Sequence, residues 1–134
     1  MVFLYPLILN FMLAQFLKFC VVGASGTIID FGLTYIFKEK LRANKYISNS
    51  IGFISAATSN YILNRVWSFE NHNPAIGEQY MLFMAISLLG LGINNGVIFL
   101  STKKFHPNFY VAKIVATGVV TLWNFAMNYL FTFR

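Results

Sequence analysis

Four apolar stretches fill most of this 134-residue chain, each close to the ~20 residues an α-helix needs to cross a bilayer. They run over about 16–37, 46–66, 80–101 and 110–131. Hydrocarbon offers no hydrogen bonds to a bare backbone, so stretches of this kind span as helices. Only 10% of the residues are charged and 57% are hydrophobic. A soluble domain carries about a quarter charged residues, and so few charges cannot cover a water-facing surface. The sequence therefore predicts an all-α integral membrane protein with four transmembrane helices, forming a single membrane domain over 1–134 with no room for a separate soluble module.

Lys38–Lys45, Trp67–Gln79 and Thr102–Phe109 are the connectors, with Asn73-Pro74 and His106-Pro107 marking breaks in the last two. Residues 1–15 form an apolar N-terminal arm interrupted by Pro6, Asn10 and Gln15. The arm has no basic leading region and no small-residue cleavage site, so it reads as an interfacial or helix-extending segment, not a cleaved signal peptide.

The chain repeats itself. At a constant offset of 64 residues, Asn60 falls on Asn124, Asn64 on Asn128 and Phe69 on Phe133. The same offset places Phe19 on Phe83, Gly26 on Gly90, Ile29 on Ile93, Gly32 on Gly96 and Asp30 on Asn94. Asn44-x-Tyr46 meets Asn108-x-Tyr110, and no gap is needed. The copies are about 16–69 and 80–133. Each holds two helices, and an even number returns the chain to its starting side. The expectation is two parallel two-helix repeats related by a pseudo-twofold along the membrane normal, a form known among transporters.

Polar side chains inside apolar helices carry the functional signal. Asp30 lies within the first helix, where a carboxylate costs at least about 2.5 kcal/mol and needs protein or water around it. Lys113, near the start of the fourth helix, is its best partner in sequence, and Asn94 occupies the matching depth in the third. Asn60 and Asn64 are four residues apart and share a helix face; Asn124 and Asn128 repeat the pair. Amides both donate and accept, as sugar hydroxyls require, or they bond one another between helices. Arg65 follows at the membrane boundary, where a guanidinium suits bidentate phosphate binding. Lys18 and Arg134 reach the same boundary as phosphate contacts or as snorkelling anchors. Trp67 and Trp123 either stack on a sugar ring or belong to the interfacial aromatic belt. The glycines of the first and third helices, including Gly92-x-x-x-Gly96, read as close-packing positions.

The net charge of +6 comes from residues flanking apolar segments, which fits orientation signals and lipid phosphates. No basic run is interleaved with aromatics, and no nucleic-acid partner is expected. The single Cys20 excludes an intramolecular disulfide and a cysteine metal site. Metal-ligand, phosphate-loop and serine-nucleophile motifs are absent. The chain is expected to be no enzyme, with no catalytic residue, metal or cofactor.

The order Phe16-Leu17-Lys18-Phe19, Val22-Gly23, Thr27 and Asp30, followed by Asn60-Tyr61-Ile62-Leu63-Asn64-Arg65-Val66-Trp67-Ser68-Phe69, resembles the GtrA-like family of small four-helix membrane proteins. The resemblance covers nearly everything after residue 15. It implies translocation of a polyprenyl-phosphate-linked monosaccharide across the bacterial cytoplasmic membrane, for a glycosyltransferase working on cell-surface polysaccharide or glycosylation. Lys18, Asp30, Asn60, Asn64, Arg65 and Trp67 match the family pattern. The second copy departs from it, with Tyr129 for the arginine and Phe131 for the tryptophan.

Two orientations compete. Lys38, Lys40, Arg42, Lys45, Lys103 and Lys104 crowd the short connectors, which the positive-inside rule places in the cytoplasm, whereas the family resemblance implies both termini there. Two other functions fit the same residues: a non-transporting anchor for a glycosyltransferase, and a small proton-coupled exporter using Asp30. A thin four-helix pathway makes a homodimer an added expectation.

Overall fold

The computed structural model describes residues 2–105 and 109–134, with the side chains of all of these except 45, 46, 109, 110 and 113. Every regular element among them is helical. The chain divides into two compact units, Met1–His72 and Asn73–Arg134. The first holds α1 (Tyr5–Tyr35), a π turn at Ile36–Lys40, α2 (Lys45–Leu63) and a π turn at Asn64–Ser68. The second holds α3 (Ile76–Lys104), α4 (Phe109–Met127) and a π turn at Asn128–Thr132. The break expected at His106-Pro107 lies outside the described residues.

The N-terminal arm continues the first helix. α1 has 31 residues, or about 46 Å at 1.5 Å per residue. Pro6 sits in its first turn, where the missing N–H would have had no helical partner. α3 begins after an Asx turn in which the Ala75 N–H donates to Asn73 Oδ1 at 2.9 Å. Glu78 in its first turn and Lys103 and Lys104 in its last complement the helix dipole.

Among the described residues, three helical segments are long and apolar enough to cross a membrane: Tyr5–Lys40, Ile76–Lys104 and Ile114–Thr132. α2, expected as the second span, departs from that pattern. It is 19 residues long and carries Ser48, Asn49, Ser50, Ser55, Thr58, Ser59 and Asn60, which dilute its apolar character.

Each unit is an antiparallel helix pair. In the first, the rings of Phe19 and Phe69 meet edge to face with centroids 6.3 Å apart. In the second, Phe83 and Phe133 meet at 6.1 Å. Edge-to-face pairs of this kind contribute about 0.5–1.5 kcal/mol beyond burial. α1 buries Gln15, Phe19, Val22 and Gly26; α3 buries Gln79, Phe83, Ile86 and Gly90. Each residue of the second stripe stands 64 positions after its counterpart. The π turns at Asn64–Ser68 and Asn128–Thr132 obey the same offset. Ala56 and Ala57 in one unit and Ala112 and Ala116 in the other are buried. Lipid tails are as apolar as leucine, so close approach across small residues, and not escape from water, holds such pairs together. Leu17, Val21, Ile28 and Phe31 of α1 are exposed, as lipid-facing side chains should be.

The first unit leaves its π turns through left-handed residues, Arg42 (φ 53°) and Glu70 (φ 45°). The N–H of the next residue then returns to a carbonyl six positions back: Ala43 to Phe37 at 2.9 Å and Asn71 to Arg65 at 2.7 Å. These bonds cap carbonyls that a helix end leaves orphaned and offset the strain of a left-handed side-chain-bearing residue, about 1–2 kcal/mol.

Candidate functional site

The aromatic contact between Phe19 and Phe69 fixes how α1 meets the turn after α2. Lys18 is adjacent to Phe19, and its Nζ stands 5.5 Å from the centroid of the Trp67 ring. A cation over indole is worth about 0.5–1 kcal/mol when exposed and about 2 when desolvated. The turn is held from within. The Phe69 N–H donates to the Asn64 carbonyl at 2.9 Å, and Ser68 Oγ donates to Asn64 Oδ1 at 2.7 Å. Asn64 and Ser68 are buried, whereas Arg65 is half-buried and Val66 and Trp67 are exposed. The end of α2 therefore meets α1 near its middle, since Lys18 lies thirteen residues into α1 and not at its start as the sequence implied; Arg65 shares the turn of Trp67, while Arg134 is exposed at the chain end of the other unit. Two cations and an indole where α2 ends against α1 suit a phosphate with an adjoining ring.

The second unit keeps this turn without its chemistry. Leu82, Tyr129 and Phe131 stand at the offset positions of Lys18, Arg65 and Trp67. Its tryptophan serves elsewhere: Trp123 Nε1 donates to the Ile86 carbonyl at 3.3 Å, tying α4 to α3. In the first unit the equivalent carbonyl, that of Val22, accepts from Ser25 Oγ at 2.6 Å.

The asparagines fall within their own units. The Asn60 amide packs at Gly26, where a Cβ would lie 2.7 Å from Asn60 Nδ2. Asn124 packs at Gly90, where a Cβ would lie 2.7 Å from Asn124 Oδ1. Asn64 is bonded to Ser68, and Asn128 Nδ2 donates to the Asn124 carbonyl at 2.7 Å. That last bond engages a carbonyl of the preceding turn, a competition that bends helices. Asn60 Oδ1, Asn94 Oδ1, Asn124 Oδ1 and Asn128 Oδ1 are buried without a hydrogen-bond partner among the described protein atoms. Such acceptors are expensive in a low-dielectric interior and leave capacity for a donor such as water or a hydroxyl.

Asp30 faces α2. Thr34 Oγ1 lies 3.2 Å from Asp30 Oδ1 and 3.4 Å from the Ser48 carbonyl, so one hydroxyl proton serves two acceptors. Gly52 lets this cluster form, since a Cβ there would lie 2.6 Å from the Asp30 carbonyl oxygen. The offset positions in the second unit are Asn94, Ile98, Ala112 and Ala116. The first unit therefore concentrates ionisable chemistry at both ends. The side chain of Lys113, expected opposite Asp30, lies outside the described residues.

Sequence reasoning passed over Gln15, Ser68, Thr34, Ser48 and Gly52. Gln15 reads as a polar interruption of the arm, yet it is buried with Oε1 unpartnered. Its counterpart Gln79 donates through Nε2 to the Thr132 carbonyl at 2.9 Å. The signal was present: Gln15 and Gln79 obey the repeat offset.

The GtrA/DPMS transmembrane domain matches residues 18–133 of the chain. A similar protein is the uncharacterized membrane protein YngA of Bacillus subtilis (strain 168), 25% identical over 116 residues, which cover 87% of this chain and 77% of that protein. The matched region begins at the lysine over Trp67 and closes on the second of the two paired phenylalanine contacts, so it takes in both repeat units: the chain belongs to the GtrA/DPMS transmembrane-domain family.

Proposed function

We propose that the chain carries a polyprenyl-phosphate-linked monosaccharide across the bacterial cytoplasmic membrane. The observation that carries this reading is Lys18 Nζ held 5.5 Å over Trp67, in the turn that also bears Arg65, within a family of polyprenyl-phosphate sugar handling. Arg65 and Lys18 bind the phosphate, Trp67 meets the sugar ring, and the prenyl tail stays in lipid. The unpartnered acceptors of Asn60, Asn94, Asn124 and Asn128 take hydroxyl donors as the headgroup crosses, and Asp30 receives it at the other end. In this reading α2 completes a fourth crossing when packed in the assembled protein. A homodimer widens the path. The chain moves its substrate without changing it chemically, and a membrane glycosyltransferase consumes the product.

The test is reconstitution into liposomes containing a polyprenyl-phosphate sugar, with its headgroup on one leaflet accessible to an impermeant oxidant. Protein-dependent loss of the protected pool, slowed in Arg65→Ala and Lys18→Ala, is expected. Binding of a glycosyltransferase with no lipid movement would instead identify a recruiting anchor. Movement unaffected by both substitutions would overturn the phosphate assignment.

A further inference from the structure

We infer that Ser68 is a positioning residue for the Lys18–Arg65–Trp67 group, acting through its hydroxyl bond to Asn64. This rests on the phosphate reading for its functional consequence but not for its geometry. Ser68 Oγ donates to Asn64 Oδ1 at 2.7 Å, and both residues are 2% exposed. The bond spans the π turn from first residue to last, with Arg65 and Trp67 between its ends. A hydrogen bond shielded from lipid and water is worth more than one at the surface, and it ties the two ends of the turn to each other.

The second unit supplies the comparison. Its π turn has the same register and carries Asn128 and Thr132 at the equivalent positions. There the latch is open: Asn128 Nδ2 donates backwards to Asn124, while Asn128 Oδ1 and Thr132 Oγ1 are buried and unpartnered. The π turn therefore forms without the latch. What coincides with the closed latch is the functional pair, Lys18 over Trp67, where the other unit has Leu82 and Phe131. Ser68 accordingly orients Trp67 onto Lys18 and is not needed to make the turn.

The experiment uses the full chain in detergent with Trp123→Phe, which leaves Trp67 as its one tryptophan. Two readouts are taken: Trp67 emission with acrylamide quenching, and affinity for a long-chain alkyl phosphate. Ser68→Ala is expected to red-shift the emission, raise quenching and weaken alkyl phosphate binding, with helicity unchanged. Ser68→Cys, similar in size but a weak donor, falls between. The decisive comparison repeats Ser68→Ala on Lys18→Met. If Ser68 acts through the Lys18–Trp67 pair, its effect on affinity shrinks toward nothing there, whereas a merely structural role gives additive losses. An unchanged Trp67 signal in both Ser68 variants, or additive losses, overturns the inference. A Trp67 shift with no alkyl phosphate binding by any variant, including the parent, upholds the positioning and overturns the phosphate reading.

Discussion

The carboxamide of Asn60 occupies the notch that Gly26 leaves by having no side chain; a Cβ on Gly26 would stand 2.7 Å from its Nδ2 and 2.8 Å from its Cγ. An asparagine that reads as pathway-lining is therefore also a packing group between α1 and α2. Gly26→Ala must displace the amide or part the helices, and overpacking of this kind costs about 1–3 kcal/mol. Gly23, three residues earlier, has nothing within 4 Å of its Cβ position, so Gly23→Ala gains helix propensity, about 0.5–1 kcal/mol. Unfolding titrations in mixed detergent micelles should move in opposite directions for the two variants.

Gly52 and Ala116 hold the same place in the two units but not the same neighbours. Gly52→Ala drives a methyl against Asp30 and Thr34 and should break the shared hydroxyl bond. Ala116 is fully buried, and Ala116→Gly removes a methyl that nothing polar competes for. The expected result is a loss of about 1 kcal/mol in the second case, from helix propensity. The first should lose more, and pairing it with Thr34→Ala should recover part of that loss. Stabilities of the three variants and the Gly52/Thr34 double variant check this.

Trp123 and Ser25 add a second donor to equivalent carbonyls, those of Ile86 and Val22. The indole bond joins two helices; the serine bond stays within one. Trp123→Phe should cost about 0.6 kcal/mol, the average for a hydrogen bond between membrane helices, and Ser25→Ala less, because Ser25 ties α1 only to itself. Unfolding titrations in mixed detergent micelles, lowered in Trp123→Phe and nearly unchanged in Ser25→Ala, would separate the two roles.

The repeat was legible because it uses residues that hydrophobic drift does not reproduce. Gly26 with Gly90 and Asn60 with Asn124 turn out to be the two halves of one device, a notch and its filler. Helix type was legible too, since hydrocarbon allows little else. The π turns were not: an inserted residue leaves no periodicity signal over five positions, and Asn64 with Ser68 looks like any i, i+4 pair. The weakness of α2 was partly legible in its hydroxyls, but the segment reads as a span because Ser and Thr return their hydroxyls to helix carbonyls, as Thr58 does to Ile54 at 2.7 Å. The burial of Asn64 and Asn128 was hidden for a different reason. Spacing gives the shared face of two asparagines but does not say which neighbour that face meets.

The asymmetry between the units supplies the last prediction. The second unit has the π turn in the same register and the same phenylalanine contact, but Leu82, Tyr129, Phe131 and Thr132 stand where the first has Lys18, Arg65, Trp67 and Ser68. If scaffold and chemistry are separable, the combined variant Leu82→Lys, Tyr129→Arg, Phe131→Trp, Thr132→Ser should acquire a second alkyl phosphate site on an otherwise unchanged fold. Stoichiometry by isothermal titration in detergent should double. The new site should depend on Thr132→Ser, since Asn128 Oδ1 is left unpartnered by the native threonine, and restoring Thr132 should weaken it selectively. Hydrogen bonds to a charged group contribute about 1.5–3 kcal/mol, so losing the introduced arginine should weaken the new site by about 10- to 100-fold. Unchanged stoichiometry in a well-folded variant would mean that the first unit's site draws on something beyond these four positions.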